Sequence, residues 1–218
     1  MERDAMVIPP CLLLRPPRDL APFDATELRE LDWSGIDLAV ESQGVARRSD
    51  SIQARMISHV AALASWDVVL DDDGSGEVAD IVALRAEGGE LVVHMTHCKY
   101  VSGGRPRARV GDLYEVCGQA QKSARWRRSI PDLFERLIRR ERTRVANGRP
   151  SGFIVGDLPS LFRLADNAHI LRPTYTIAIS QPGVSKAAVT AAQLELLAST
   201  ETYLHETAYA RLEVYCSA

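Results

Sequence analysis

The stretch that decides the fold is WDVVLDDDGSGEVADIVALRAEGGELVVHMTHCK, residues 66–99. Three apolar runs, near 66–71, 78–85 and 90–99, are each bounded by turn residues, which is the pattern of consecutive β-strands. Gly74 and Gly76 favour a turn in the first connection, and Gly88-Gly89 favour a tight turn in the second. We therefore expect three neighbouring strands joined by short connections, with Glu77 and Asp80 on the second.

Amphipathic segments on both sides of these strands predict helices. An N-cap at Asp50-Ser51 is followed by SIQARMISHVAALA, in which apolar residues recur at helical spacing. Three further helices are predicted, near 112–125, 131–146 and 191–207. Three further strands are predicted, at 152–157, 174–180 and 210–216, with a turn at 181–185. This order of elements predicts an α/β sandwich with a central mixed β-sheet flanked by helices.

The N-terminal part differs from the rest in composition. Five prolines fall within the first 22 residues and disfavour regular helix there. Residues 1–48 are interpreted as an arm that leads into a main domain at 49–218. Within the arm, a short helix is predicted at 25–31, and residues 33–44 are expected either to add a strand or to drape over the core.

The bulk composition is that of a globular protein. The chain has 218 residues, of which 46% are hydrophobic and 25% charged, and it is long enough to bury a sizeable core. No apolar run approaches the roughly 20 residues of a membrane span. Four scattered cysteines without a CxxC pair favour reduced thiols over a disulfide framework, so we expect a cytoplasmic location.

Positive charge is concentrated in one segment. Residues 99–149 contain 14 Lys and Arg against 5 Asp and Glu, although the whole chain has a net charge of −3. A basic segment beside an acidic site suits a polyanionic substrate such as nucleic acid, and a solvated charged helix is the alternative. The candidate nucleic-acid-binding residues are Arg105, Arg107, Arg109, Lys122, Arg125 and Arg128.

Two acids are the candidate metal ligands. Asp80 interrupts the apolar run VADIVAL, where a carboxylate is costly unless it is paired or binds a cation. Glu77 precedes it by three residues and is either a second ligand or a turn residue. Asp71, Asp72 and Asp73 are interpreted mainly as solvated turn residues, although Asp72 or Asp73 could reach the site.

The end of the third strand supplies the other candidate catalytic groups. Lys99 is one of only three lysines in the chain, which suggests that a compact positive charge is wanted there. His97 shares a strand face with Lys99 and is a candidate metal ligand or general base, whereas Cys98 points to the core. Gln119, on the following helix, is a candidate for hydrogen bonding to a phosphate or to a metal-bound water. Other polar residues near the strands are weaker candidates for the site: Gln53, Glu41, Gln121 and Tyr114.

A zinc site is the less favoured alternative for the same region. It would use His94, His97, Cys98 and Cys117. His94 and His97 have opposite strand parity, and the paired-cysteine spacing of structural zinc sites is missing.

The core from about Ser51 to Lys122 resembles the PD-(D/E)xK restriction-endonuclease-like nuclease superfamily. The resemblance is carried by GEVAD, by a third strand that ends in HCK, and by a helix with a polar flank. It implies a restriction-endonuclease-like sandwich, Mg²⁺ bound by Asp80, a catalytic role for Lys99, and support from Gln119 or Gln121. His97 stands where the superfamily has Asp or Glu as a second ligand. This change implies a histidine ligand that favours Mn²⁺, Glu77 in place of the missing acid, or a silent domain.

A longer part of the sequence also resembles nuclease modules of bacterial anti-phage defence proteins. This second resemblance is carried by the segments DSIQ, RVGDLYEVCGQAQKS, QPGVSK and LELLASTETYLHET. This resemblance implies an endonuclease that hydrolyses DNA as a defence or restriction effector, with a helicase-like or sensor partner and possible homo-oligomerisation. An RNase that uses the same site and a catalytically silent nucleic-acid-binding module remain the alternatives.

Overall fold

A seven-stranded mixed β-sheet forms the centre of the computed structural model, which describes residues 22–218 and two short strands before them. Those two strands, β1 (Met6–Ile8) and β2 (Leu12–Leu14), pair antiparallel with each other. The strands of the central sheet are β3 (Leu28–Glu30), β4 (Val68–Asp71), β5 (Ile81–Glu87), β6 (Glu90–Cys98), β7 (Phe153–Val155), β8 (Arg172–Ser185) and β9 (Arg211–Ser217). Their order is β3-β9-β8-β6-β5-β4-β7.

The direction of pairing divides the sheet into two parts. Strands β7, β4, β5 and β6 pair antiparallel, with short connections from β4 to β5 and from β5 to β6, whereas β6, β8, β9 and β3 pair parallel. The predicted triplet of consecutive strands is confirmed as β4, β5 and β6. The predicted α/β sandwich with a mixed sheet is confirmed as well.

Within residues 22–218, five helices flank the sheet: α1 (Ile52–Leu63), α2 (Gly111–Ser123), α3 (Ile130–Ala146), α4 (Leu158–Asn167) and α5 (Ala191–Ala208). Alternation along the strands gives the sheet two apolar faces. Ile81 and Ala83 of β5 pack in the cluster with α1, whereas Val82 and Leu84 pack in the larger cluster that includes residues of α2, α3, α4 and α5.

Side-chain caps fix where several helices begin. Ser51 accepts a hydrogen bond from the Ala54 amide at the start of α1, so the predicted N-cap is confirmed. Thr190 and Gln193 form a capping box at the start of α5. None of the helices that the structure describes has both the length and the apolarity needed to cross a bilayer.

Two local predictions were wrong, and one helix was not predicted. Residues 25–31 form a 3₁₀ turn at Ala25–Glu27 and then β3, because pairing with β9 prevails over local helix propensity. Residues 181–185 are the end of β8, with a register shift against β9, and not a separate turn. Helix α4 lies in a segment for which no element was predicted.

Residues 22–44 of the segment set apart as an arm are in close contact with the domain. Strand β3 is an edge of the central sheet, and residues 33–44 contain turns but no strand. They cover the sheet: Trp33 and Ile36 pack against the α1 cluster, and the Val101 amide donates to the Leu38 carbonyl. The proline-rich residues, apart from Pro22, lie outside the described residues.

Candidate functional site

Strand pairing brings the predicted site residues of β5 and β6 to one end of the sheet. Ile81 pairs with Thr96, so Asp80 lies directly before β5 and beside the last residues of β6. The Cys98 amide donates to Asp80 Oδ2 at 2.9 Å. Glu77 and Asp80 were predicted on the strand itself, but they lie in residues 72–80, which we call the acidic connection, because β5 begins only at Ile81.

Three carboxylates of the acidic connection converge. Oxygens of Asp73, Glu77 and Asp80 all lie within 4.8 Å of one another, and we call these residues the carboxylate cluster. Glu77 Oε2 accepts from the Gly74 amide at 2.9 Å, and the Ser42 hydroxyl donates to Asp73. Asp73 therefore joins the two predicted ligands, although it was regarded mainly as a turn residue.

Burial makes this concentration of negative charge costly. Asp80 is 4% exposed, and burial together with the charge of Glu77 raises the pKa of its carboxyl well above the usual range. Burial also raises the pKa of the half-buried Glu77. Neutralisation, by protons or by a bound cation, would lower this electrostatic cost.

His97 places a ring nitrogen next to the cluster. Its side chain is buried, Nε2 lies 2.7 Å from Ser123 Oγ, and Nδ1 lies 3.8 Å from Asp80 Oδ2. Among the residues that the structure describes, Nδ1 has no hydrogen-bond partner. Burial and the charge of Lys122 lower the pKa of His97 to about 4, so the imidazole is neutral at pH 7. In the tautomer in which Nε2 donates to Ser123, the Nδ1 lone pair is available to a cation.

Lys99 is held at the end of β6 and is not a solvated strand-end lysine. Its side chain is buried, and Nζ lies 2.7 Å from Glu115 Oε1 and 3.2 Å from Glu41 Oε2. Burial lowers the pKa of Lys99, but the bonds to Glu115 and Glu41 outweigh it and leave the pKa raised. The ammonium is therefore fully charged and already paired with two carboxylates.

The polar residues considered as further site members occupy different positions. Gln53 donates to Asp71, next to the acidic connection, and does not reach the cluster itself. Gln119 lies one helical turn beyond Glu115 on α2, and no described contact links it to the cluster. Gln121 donates to Thr200 of α5, which places it on the other flank. Glu41, a weaker candidate, forms an ion pair with Lys99.

The residues of the zinc alternative do not come together. His94 lies on the α1 face of the sheet, with Nε2 3.6 Å from Glu213 Oε2. Cys98 packs in the α1 cluster, whereas Cys117 packs in the larger cluster with α2. Among the described residues, the only grouping of three potential ligands with close donor atoms is the carboxylate cluster.

All six predicted nucleic-acid-binding residues are exposed. Arg105, Arg107 and Arg109 lie in the loop between β6 and α2, and Lys122, Arg125 and Arg128 lie at and after the end of α2. Some arginines of α3 face solvent, and others contact the acidic connection. Neither a nucleic-acid-binding surface nor a solvated charged helix predicts these inward contacts.

Ser123 was not among the predicted site residues, and Glu41 was a weaker candidate for which no partner was predicted. Ser123 binds His97 across 26 residues of chain, and Glu41 reaches Lys99 from the segment set apart as an arm. Neither contact leaves a local pattern, because both depend on how the helices and loops pack on the sheet. Asp80 and Lys99, in contrast, could be singled out from the local sequence, because each is a charged residue within or at the end of an apolar run.

Comparison with protein-family models, with curated proteins and with solved structures found no match to this chain. Its function is therefore inferred from the chemistry of the side chains described above.

Proposed function

We propose that this protein is a divalent-metal-dependent endonuclease that hydrolyses DNA phosphodiester bonds, of the PD-(D/E)xK kind. The observation that supports this most is the carboxylate cluster with the unpartnered Nδ1 of His97 beside Asp80. Asp73, Glu77 and Asp80 offer the hard oxygen donors that Mg²⁺ and Mn²⁺ prefer. The imidazole of His97 suits Mn²⁺ better than Mg²⁺, so Mn²⁺ is the expected activator.

The chain's own groups have distinct tasks in this proposal. A bound divalent cation supplies Lewis-acid stabilisation of the phosphate and lowers the pKa of water. Asp73, Glu77, Asp80 and His97 hold that cation. The positive charge of Lys99 stabilises the negative charge that develops on the phosphate.

Lys99 must exchange partners to act on a substrate. Its ammonium is bound to Glu115 and Glu41, and Glu115 has a 57% exposed side chain that is free to move toward solvent. The exposed Arg105, Arg107 and Arg109 contact the phosphate backbone without reading sequence. These contacts are expected to make binding strongly dependent on salt.

The second candidate is a nucleic-acid-binding module without catalysis. It is favoured by His97 in place of the superfamily's acid and by the pairing of Lys99 with two carboxylates. An RNase that uses the same side chains is distinguished only by its substrate. A role in anti-phage defence, a helicase-like or sensor partner, a homo-oligomer and a cytoplasmic location all belong to the proposal and rest on the resemblance and composition alone.

A cleavage assay tests the proposal. Supercoiled plasmid, single-stranded DNA and RNA are each incubated with Mg²⁺, Mn²⁺ or EDTA, using the wild type beside Asp80→Ala and Lys99→Ala. We expect the wild type alone to cut plasmid, and EDTA to abolish cutting. Cutting by a clean Asp80→Ala preparation would refute the site. Salt-sensitive binding of DNA without cutting under any metal condition would favour the silent module.

A further inference from the structure

Three arginines on one face of α3 reach the acidic connection. Arg136, Arg140 and Arg144 are spaced four residues apart, so they lie one above another on the helix. We call them the α3 clamp. Arg140 Nε lies 2.5 Å from Asp72 Oδ1, and Arg144 Nη1 lies 3.5 Å from Asp71 Oδ2. The clamp therefore joins α3 to Asp71, the last residue of β4, and to Asp72, the first residue of the acidic connection.

The clamp also binds the backbone of the acidic connection. Every carbonyl oxygen from residue 72 to residue 76 accepts a hydrogen bond from a clamp guanidinium. Arg140 donates to three of them, at 2.5 Å to Asp72, 3.3 Å to Gly74 and 2.7 Å to Ser75. Arg144 donates to Asp73 at 3.2 Å, and Arg136 Nε donates to Gly76 at 3.0 Å.

The buried Asp72 links the beginning of the acidic connection to its end. Its carboxylate is buried, accepts from the Val78 amide at 2.7 Å through Oδ2, and binds Arg140 through Oδ1. Asp73 and Glu77 lie between Asp72 and Val78, so the loop that carries two of the three cluster carboxylates is tied at both ends.

The energetic cost of the clamp points to a positioning role. The side chains of Arg140 and Asp72 are only 17% and 3% exposed, and a buried ion pair contributes little net stability because both charges lose their hydration. Instead, this pair fixes the backbone of the acidic connection and thereby the positions of the Asp73 and Glu77 carboxylates. A guanidinium fits this task because it presents several donors in a rigid plane.

We propose that the α3 clamp positions Asp73 and Glu77 for a divalent cation, with Arg140 as its main residue. This inference rests on the metal centre of the proposed function. It makes Arg136, Arg140 and Arg144 positioning residues, and it assigns part of the basic segment to the protein's own active site and not to nucleic acid.

The test measures Mn²⁺ binding directly, by the paramagnetic resonance signal of the free ion, and does not depend on cleavage. Arg140→Gln is compared with Arg139→Gln, because Arg139 is the neighbouring residue of the helix and, within the part of the chain that the structure describes, its side chain pairs only with the exposed Glu135. We expect Arg140→Gln to weaken Mn²⁺ binding about 10- to 100-fold, the usual effect of losing a group that orients metal ligands. Arg139→Gln should leave Mn²⁺ affinity unchanged, and Arg140→Lys should restore it only in part.

Hydrogen exchange in EDTA gives a second, metal-free measurement. The amides of Gly74 and Val78 should exchange faster in Arg140→Gln than in Arg139→Gln, while amides of the central strands remain equally protected. If Arg140→Gln does not fold, Arg136→Gln removes only the contact with Gly76 and should show the same trend to a smaller degree.

The outcomes separate this inference from the proposed function. Mn²⁺ binding by the wild type with weakened binding by Arg140→Gln supports the clamp, even if no nucleic acid is cut. Wild-type affinity in Arg140→Gln, or unchanged exchange of Gly74 and Val78, overturns the clamp even if the wild type is a nuclease. Failure of the wild type to bind Mn²⁺ overturns both.

Discussion

Asp80→Asn should invert the order of stability between metal-free and metal-saturated protein. Asparagine keeps the size of the side chain and an oxygen that accepts from the Cys98 amide, but it removes one of three clustered negative charges. It also removes a ligand. The variant is therefore expected to be more stable than the wild type in EDTA and less stable than the wild type with bound metal.

The structure sets the size of both effects. Two unit charges no more than 4.8 Å apart repel by at least about 3.5 kcal/mol at an effective dielectric constant near 20. Because Asp73 and Glu77 are only partly buried, solvent screens part of this repulsion, and we expect a gain of about 1–2 kcal/mol in the metal-free free energy of unfolding. Saturation at one hundred times the dissociation constant adds about 2.7 kcal/mol to the wild type alone.

Urea unfolding of both proteins in EDTA and in excess Mn²⁺ measures these effects. Glu206→Gln, on the exposed face of α5, serves as the control and should change neither value. A wild type that is more stable than Asp80→Asn in EDTA would refute the strain assigned to the cluster. Equal stabilisation of both proteins by Mn²⁺ would refute the ligand role of Asp80.

Three further predictions concern other parts of the molecule. Glu213→Gln should lose up to about 3 kcal/mol of stability at pH 7. Although burial raises the pKa of Glu213, the neighbouring His94, Arg29 and Tyr215 lower it to about 2. Its contribution is therefore present above about pH 4.5 and disappears as the pH falls toward 2. His97→Asp should shift the ratio of Mn²⁺ to Mg²⁺ affinity toward Mg²⁺, because it replaces a nitrogen donor by an oxygen donor, as metal titration would show. Gly156→Ala should cost more than about 2 kcal/mol in urea unfolding, because φ is +73° and a Cβ atom would overlap the Asp67 carbonyl oxygen.

Matched variants control these three measurements. Glu135→Gln, at an exposed ion pair on α3, serves as the control for Glu213→Gln. A constant deficit of Glu213→Gln from pH 7 to pH 3 would contradict the linkage argument. Unchanged metal preference in His97→Asp would exclude Nδ1 as a ligand. Gly104→Ala has a similar φ of +69° but open space around it, so its smaller cost isolates the overlap at Gly156.

The sequence could predict the elements that have a periodic signal. Alternating apolar residues and paired glycines located β4, β5 and β6, and helical spacing located α1, α2, α3 and α5. The edge strand β3 could not be predicted, because three residues acquire strand geometry only through their pairing with β9.

The candidate site was predictable only where a charged residue stood in an apolar run. Asp80 and Lys99 met that condition, and the structure places both at the same end of the sheet. The contact of Arg140 with Asp72 spans 68 residues, and the sequence of a basic helix does not reveal which of its arginines face inward. Such contacts depend on tertiary packing, which is why the basic segment was read as a surface.

The most direct test of the metal centre is an anomalous diffraction map from crystals of the wild type grown with Mn²⁺. We predict one strong manganese peak within coordination distance of Asp80, Glu77 and Asp73, with His97 Nδ1 completing the protein ligands, and no peak there in Asp80→Asn. A cluster without manganese at a saturating concentration, or a peak bound by other residues, would contradict the account.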